Sequence, residues 1–347
     1  MKTPTYLYPK VKSLLALLPA LALLPGCETV VDLPEPPHTP RIALQYTLSN
    51  TPPPPANPNP NGSSYYYDIT TSRQLFVSNS QRIFDTKYLE GRDDATVEIR
   101  NEQGAVVERF KPADRNQVQS YGPGSYVPTM GLLGQPGKTY TLRAALPGFE
   151  TVESTLTMPA APVIESATFA PRTSGSGQSN QTRGRLLVTL TDNPATTDYY
   201  LAFARVLDKQ GRPGNWSPVQ LDYESETSDF EVGTFQLSNT GSYRGYEIYP
   251  YADTNVNGQR FSLNSNVSFY AQSYCPPNQS NCPEVGYLEV FISAITADAY
   301  NFYQSQRRYN DADGNPFAEP APLSSNIKPG YGLFGGATDA TYRIKLF

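Results

Sequence analysis

The sequence predicts a mainly β protein: a β-sandwich domain followed by a second β-rich domain that carries one C-terminal α-helix. Three observations predict it. Tyrosine is abundant, at 25 residues beside 15 Phe and a single Trp, and aromatic side chains suit half-buried pleated surfaces. Proline reaches 33 of 347 residues, about twice its ordinary usage of ~5%, and with 25 Gly it supplies many turns. Short runs with alternating apolar residues recur between clusters of turn formers. Hydrophobic content of 38% and charged content of 17% allow a real core and argue against general disorder. The length leaves room for roughly two domains. We divide the chain into a leader (1–26), a tether (27–40), a β-sandwich domain (41–162) and a second β-rich domain (163–347).

The leader carries Lys2, Lys10 and Lys12 ahead of the 11-residue apolar run "LLALLPALALL" (14–24). That run is too short to cross ~30 Å of hydrocarbon as a helix, and Pro19 interrupts it, so it reads as a signal peptide. Leu24 and Gly26, directly before Cys27, resemble a bacterial lipobox, in which the cysteine is acylated and becomes the new N-terminus. Pro25 departs from the usual residue at its position. An ordinary secretory peptide with an incidental cysteine is the plainer alternative. After Cys27, "DLPEPPHTP" favours extended polyproline conformations and cannot build a core.

The chain has three cysteines. Acylation of Cys27 leaves Cys275 and Cys282, six residues apart in "CPPNQSNC", to close a disulfide in an oxidising compartment. So short a loop contributes on the order of 2–3 kcal/mol in the chain-entropy model. As a metal site the pair is poor, because no His or further Cys lies nearby.

Strands are expected at 41–50, 65–72 and 73–80, separated by the low-complexity loop "TPPPPANPNPNGSS" (51–64). "DATVEIRNEQGAVVERF" (94–110) is the clearest hairpin: Ala95, Val97 and Ile99 alternate, Asn101–Gly104 turns the chain, and Val106 and Val107 start the return. Residues 138–162 hold two more strands around Pro147-Gly148. After the Gly/Ser-rich loop 171–184, strands follow at 185–192, 198–207, 230–238, 261–274 and 286–295. The helix is expected at about 295–309. Thr296 is its N-cap, Ile295 and Tyr300 form a hydrophobic staple, Asp298 sits in the first turn, and Arg307 and Arg308 lie near the end. Tyr300, Phe302 and Tyr303 give it an aromatic face for core packing.

Net charge is -5, and removal of the leader's three lysines leaves 24 basic and 32 acidic residues, or -8. A mildly acidic chain without a basic run is a poor nucleic-acid binder. The single histidine, His38, lies in the tether, so Ser-His-Asp, Cys-His and His-based zinc chemistry lack a positioned imidazole. No G-x-S-x-G, P-loop or dinucleotide fingerprint occurs, and "GLFGG" (332–336) reads as a glycine-rich turn. Asp222, Glu224, Glu226 and Asp229 form an acidic segment that suits a solvated loop or, paired across a cleft, glycoside hydrolysis. Two oxygen-rich segments offer Ca²⁺ ligands: Asp253, Asn255 and Asn257 before Gly258, and Asp311, Asp313 and Asn315. Both also fit plain polar turns.

The order of motifs adds a resemblance. A lipobox cysteine leads to "VVDLP", then "ATVEIRNEQG", "PGKTYTLRA", "TMPAAP" and "VTLTDNPATTDYYLAF". "ISAIT", a helix with "AYNFY", "NPFAEPAPLSSNI" and "GYGLFGGA" follow. This order resembles the Bacteroidota lipoproteins catalogued as domain of unknown function 4249, over most of the chain beyond the leader. The "TPPPPANPNPNG" insertion is a departure. The resemblance implies an outer-membrane lipoprotein with an immunoglobulin- or transthyretin-like N-terminal β domain, associated with TonB-dependent outer-membrane receptors. It transfers no catalytic residues. The expected protein is thus a non-enzymatic accessory held to the membrane by lipid on Cys27, with no other cofactor unless Ca²⁺ binds. A surface glycan-binding module or carboxylate-based hydrolase is the alternative.

Overall fold

A computed structural model of the chain describes residues 37–52, 73–82, 89–114, 122–172, 181–213, 219–222, 235–242, 245–270, 284–312 and 322–346. Thr39–Phe347 make one compact unit; of the other, Met1–His38, only the last two positions are described. Cys27, Cys275, Cys282, Glu224, Glu226, Asp229, Asp313 and Asn315 lie outside the described residues, as does the strand expected at 65–72.

Seven strands precede residue 162: β1 (Ile42–Ser49), β2 (Leu75–Asn79), β3 (Thr96–Asn101), β4 (Val106–Pro112), β5 (Ser125–Pro128), β6 (Thr139–Ala145) and β7 (Val152–Thr157). After it come β8 (Val163–Arg172), β9 (Gln181–Thr191), β10 (Tyr199–Asp208), β11 (Gln220–Leu221), β12 (Asn239–Ser242), β13 (Gly245–Glu247), β14 (Tyr251–Ala252), β15 (Arg260–Tyr270) and β16 (Val285–Ile295). The helix α1 (Ala297–Ala312) and β17 (Tyr331–Lys345) complete the order. The protein is mainly β with one C-terminal helix.

Eleven strands form one continuous sheet in the order β14-β10-β16-β17-β1-β2-β5-β4-β3-β6-β7. The sheet turns over at β4. Glu108 and Arg109 of this strand pair with β3, whereas Phe110, Lys111 and Pro112 pair with β5. β1 and β2 therefore enclose a common core with β3, β6 and β7, built on Leu44, Leu48, Val77, Ile99, Leu142 and Leu156. The period-2 pattern read from the sequence matches: Val97 and Ile99 are buried, and the residues between them are not. The Asn101–Gly104 turn closes through the Asn101 Oδ1, which accepts the N–H groups of Gln103 (3.1 Å) and Ala105 (3.0 Å).

A second core lies between β10-β16-β17 and a four-stranded sheet, β11-β15-β9-β8. On β10, Tyr200, Ala202 and Val206 face this core, while Leu201 and Phe203 face α1. Both sides of β10 and β16 are thus covered, which explains their near-continuous apolar sequence. The large sheet runs through both expected segments, and Ile327 and Phe334 of the second join the core of β1, β2, β3, β6 and β7. β17 pairs parallel with β1 on one side and antiparallel with β16 on the other.

The helix runs three residues beyond its expected end, so no basic residue occupies its last turn. Its carbonyl cap is as expected: the Tyr300 N–H bonds the Thr296 C=O at 3.0 Å. The Thr296 hydroxyl instead accepts the Gly336 N–H (3.3 Å), tying the helix start to β17. Ala299, Phe302 and Tyr303 are buried against the sheet.

The glycine-rich run is corrected from a turn to the interior of a strand, β17. Gly332 has φ +113°, and a Cβ there would lie 1.8 Å from the Leu44 O of β1. At Gly335 a Cβ would meet the Ala299 Cβ at 3.2 Å, and at Gly336 the Met158 Sδ at 3.1 Å. The glycines mark where a neighbouring backbone, the helix and Met158 approach closely.

Candidate metal centre and the buried charges

Three carboxylates, those of Asp192, Asp198 and Asp253, converge within 4.8 Å of one another. Topology brings them together. Asp192 follows the last residue of β9, and Asp198 precedes the first residue of β10. Asp253 follows β14 and opens a short 3-10 turn, Asp253–Asn255. Pairing of β14 with β10 sets Asp253 beside Asp198: the Asp253 N–H bonds the Asp198 C=O (3.1 Å), and the Asp198 N–H bonds Asp253 Oδ2 (2.9 Å). Pairing of β9 with β15 brings in Asp192 from the other sheet.

The oxygens are unequally satisfied. Asp192 Oδ1 accepts the Tyr200 hydroxyl (2.7 Å) and its Oδ2 accepts the Gly258 N–H (2.8 Å). Asp198 Oδ2 accepts the Thr196 hydroxyl (2.9 Å). Asp253 is fully buried, and its Oδ1 has no hydrogen-bond partner. Burial, and then the Asp192 charge, push the Asp198 carboxyl above the usual carboxylate range. Burial first, and then the Asp192 and Asp198 carboxylates, also raise Asp253. The Tyr200 hydroxyl is held far above its ordinary value by burial and by its bond to Asp192.

Asn255 and Asn257 are exposed, unlike the fully buried Asp253. A 3-10 turn has three residues per turn, so alternate residues do not share a face as they do in an EF-hand loop. Asp311 lies exposed in the last turn of α1. Of the described residues singled out as Ca²⁺ ligands from sequence, Asp311 does not join other carboxylates and Asp253 does. Its partners, Asp192 and Asp198, bracket "DNPATTD", where two acids flank a turn between strong strands; that spacing was the available signal.

Other buried acids are absorbed into the framework. Asp222 is paired with Arg172 (2.9 Å) and Arg183 (3.7 Å). Glu289 on β16 lies between Arg205 of β10 and Arg343 of β17, each at 2.7 Å, along one line of register. Glu108 is fully buried, and its two oxygens accept the N–H groups of Thr129, Met130 and Leu132 at 2.7–2.8 Å. Asp339 on β17 receives a two-pronged contact from Arg73 (2.6 and 2.8 Å) and hydroxyl bonds from Ser49 and Ser293. Tyrosines follow the same trend: Tyr126, Tyr140, Tyr200 and Tyr303 are buried in cores. A surface depression by the β3–β4 turn is lined by Glu102 and Glu153 among others, but Glu102 accepts the Thr139 N–H and Glu153 pairs with Arg143.

A family model described as Domain of unknown function (DUF4249) matches residues 56–343. The chain belongs to this family. The DUF4249 match includes the three-aspartate cluster, α1 and most of both cores, and leaves out β1 with Ile42, Leu44 and Leu48. No curated protein and no solved structure matches the chain. Among the described residues no helix is long and apolar enough to cross a membrane, which says nothing of strands.

Proposed function

We propose that this DUF4249 chain is a non-enzymatic binding protein of the outer membrane, anchored by lipid on Cys27 and serving as an accessory to a TonB-dependent transport system. The observation that carries this reading is the consumption of buried charge by structure everywhere described above except the aspartate cluster. Arg73, Arg172, Arg183, Arg205 and Arg343 neutralise Asp339, Asp222 and Glu289, and Glu108 holds a loop by its amides. Such a framework presents fixed surfaces rather than a set of groups poised for proton transfer. The compact unit begins at Thr39, soon after the lipobox cysteine. A Pro-rich segment of that length, extended at ~3.1 Å per residue, reaches roughly 35 Å, enough to clear lipid headgroups. The glycan reading has weaker support, because Tyr126, Tyr140, Tyr200 and Tyr303 are buried and so unavailable to stack on a sugar.

The test has two arms. Cys27→Ser should move the protein from the membrane fraction to the soluble envelope fraction. Affinity purification of the lipidated chain from detergent-solubilised membranes should recover an outer-membrane receptor. Retention of Cys27→Ser in membranes sinks the anchor, and reproducible purification without any receptor sinks the transport role.

A further inference from the structure

The cluster of Asp192, Asp198 and Asp253 lacks the partner its charges require. Every other buried carboxylate described above meets a guanidinium or a set of backbone amides. Here three acids lie within 4.8 Å, and among the described residues no Lys or Arg pairs with any of them. Arg260, in the strand that follows Asp253, is engaged by Glu165 (2.5 Å), and Arg205, in the strand that follows Asp198, by Glu289 (2.7 Å). Asp253 Oδ1 is the sharper observation. It is enclosed, it belongs to a fully buried side chain, and it accepts nothing. An ionised oxygen so placed carries the full desolvation cost with no compensation. Its neighbours across the cluster are carboxylate oxygens, which accept as it does and cannot donate. Only a cation or a proton completes such a site.

We propose that Asp192, Asp198 and Asp253 bind one Ca²⁺ ion, which fastens the β9–β10 connection to the turn between β14 and β15. The donor set is all oxygen, which suits a hard cation and disfavours zinc, whose structural sites use Cys and His. The site is assembled from two loops and one half-buried acid, Asp198. Irregular geometry with water at the remaining positions suits Ca²⁺, which takes six to eight oxygens, better than Mg²⁺, which demands a near-ideal octahedron. The framework around the ligands is built in advance. The Tyr200 hydroxyl and the Gly258 amide orient Asp192, and the paired Asp198 and Asp253 backbones fix the other two. Gly258 has φ +72°, and a Cβ there would lie 2.7 Å from the Pro194 Cβ, so the two loops already touch. This inference stands apart from the transporter reading: an envelope protein of any role is bathed in external Ca²⁺.

The test uses the purified full chain, stripped with EDTA and titrated with CaCl₂ by calorimetry and thermal unfolding. We expect one ion per chain with a Kd in the broad range of about 10⁻⁷–10⁻³ M seen for oxygen sites. At a hundred-fold excess over Kd the unfolding midpoint should rise by about 5 °C. Asp198→Asn, at the half-buried position, should weaken binding at least about ten-fold while the chain still folds, and Asp253→Asn should abolish it. Asp311→Asn should leave it unchanged. Absence of heat and of any midpoint shift up to 10-fold above the weakest expected Kd would overturn the proposal in favour of a proton shared between acids. Stoichiometric binding that survives Asp198→Asn with Asp253→Asn would place the ion elsewhere and overturn it too. An equal response to MgCl₂ would overturn the choice of Ca²⁺.

Discussion

Replacement of Arg73 by Met should destabilise the protein more than any surface change. Arg73 is buried just before β2, and its guanidinium donates to Ser49 Oγ (2.7 Å), Ser293 Oγ (3.0 Å) and both oxygens of Asp339. Met keeps much of the volume but removes the charge and all four bonds. Asp339 would remain buried with hydroxyl donors and no cation, and loss of one partner of a buried pair costs about 3–5 kcal/mol. For a unit of this size, at about 2 °C per kcal/mol, the unfolding midpoint should fall by about 6–10 °C at pH 7. A double-mutant cycle with Asp339→Asn isolates the pair. The double variant should be more stable than the two single losses summed, with a coupling of about 1–3 kcal/mol. Differential scanning calorimetry supplies the midpoints and urea unfolding the free energies. A midpoint within 2 °C of the parent, or a coupling near zero, would refute the claim that this network holds the sheet junction.

Further outcomes follow from the same structure. Arg73, against the opposing effect of burial, draws the Asp339 carboxyl down from 3.8 to about 2; the associated stability, about 2 kcal/mol, is present above pH 4 and lost as pH falls toward 2. The stability gap between the parent and Arg73→Met, read by urea unfolding, should therefore narrow over that interval, and a constant gap would contradict the assignment. Glu108→Gln replaces an acceptor of the Leu132 or Met130 amide by a donor and should cost about 2–3 kcal/mol, with faster amide exchange confined first to residues 129–132; unchanged exchange would refute it. Gly332→Ala, at φ +113° and against the Leu44 O, should cost at least about 3 kcal/mol by urea unfolding, whereas Gly104→Ala, with open space around it, should cost only about 1 kcal/mol. Similar losses at the two glycines would contradict the close approach of β1 and β17.

Local regularity made much of this fold readable from the chain alone. Val97 and Ile99 announced β3 because alternate burial is a property of the strand itself. Tyr300, Phe302 and Tyr303 announced the packing face of α1 because helical spacing groups them; Phe302 and Tyr303 are buried and Tyr300 is half-buried, while Ala299, also buried there, carried no aromatic signal. β8 escaped notice because it is an edge strand with almost no buried residues, where alternation has nothing to report. β17 was hidden by Gly332, Gly335 and Gly336, whose purpose is set by neighbours far along the chain. The same distance concealed the chemistry of the aspartates. Asp253 drew attention through the residues after it, yet its companions Asp192 and Asp198 come from another loop and meet it only through β10–β14 and β9–β15 pairing. Arg73 and Asp339 are 266 residues apart, and no local pattern links them.

The side-by-side placement of β1 and β17 sets a timetable for synthesis. Ser49 and Asp339 touch although they stand 290 positions apart in the chain, so β1 cannot find one of its two neighbours until β17 has been made. During that interval β1 offers a free edge of the kind that pairs with wrong partners. Loss of β17 would hold the rest in this unfinished state, with that edge of β1 unpaired and Phe334 missing from the core it shares with Leu44 and Leu48, drawing the chain toward proteolysis or aggregation.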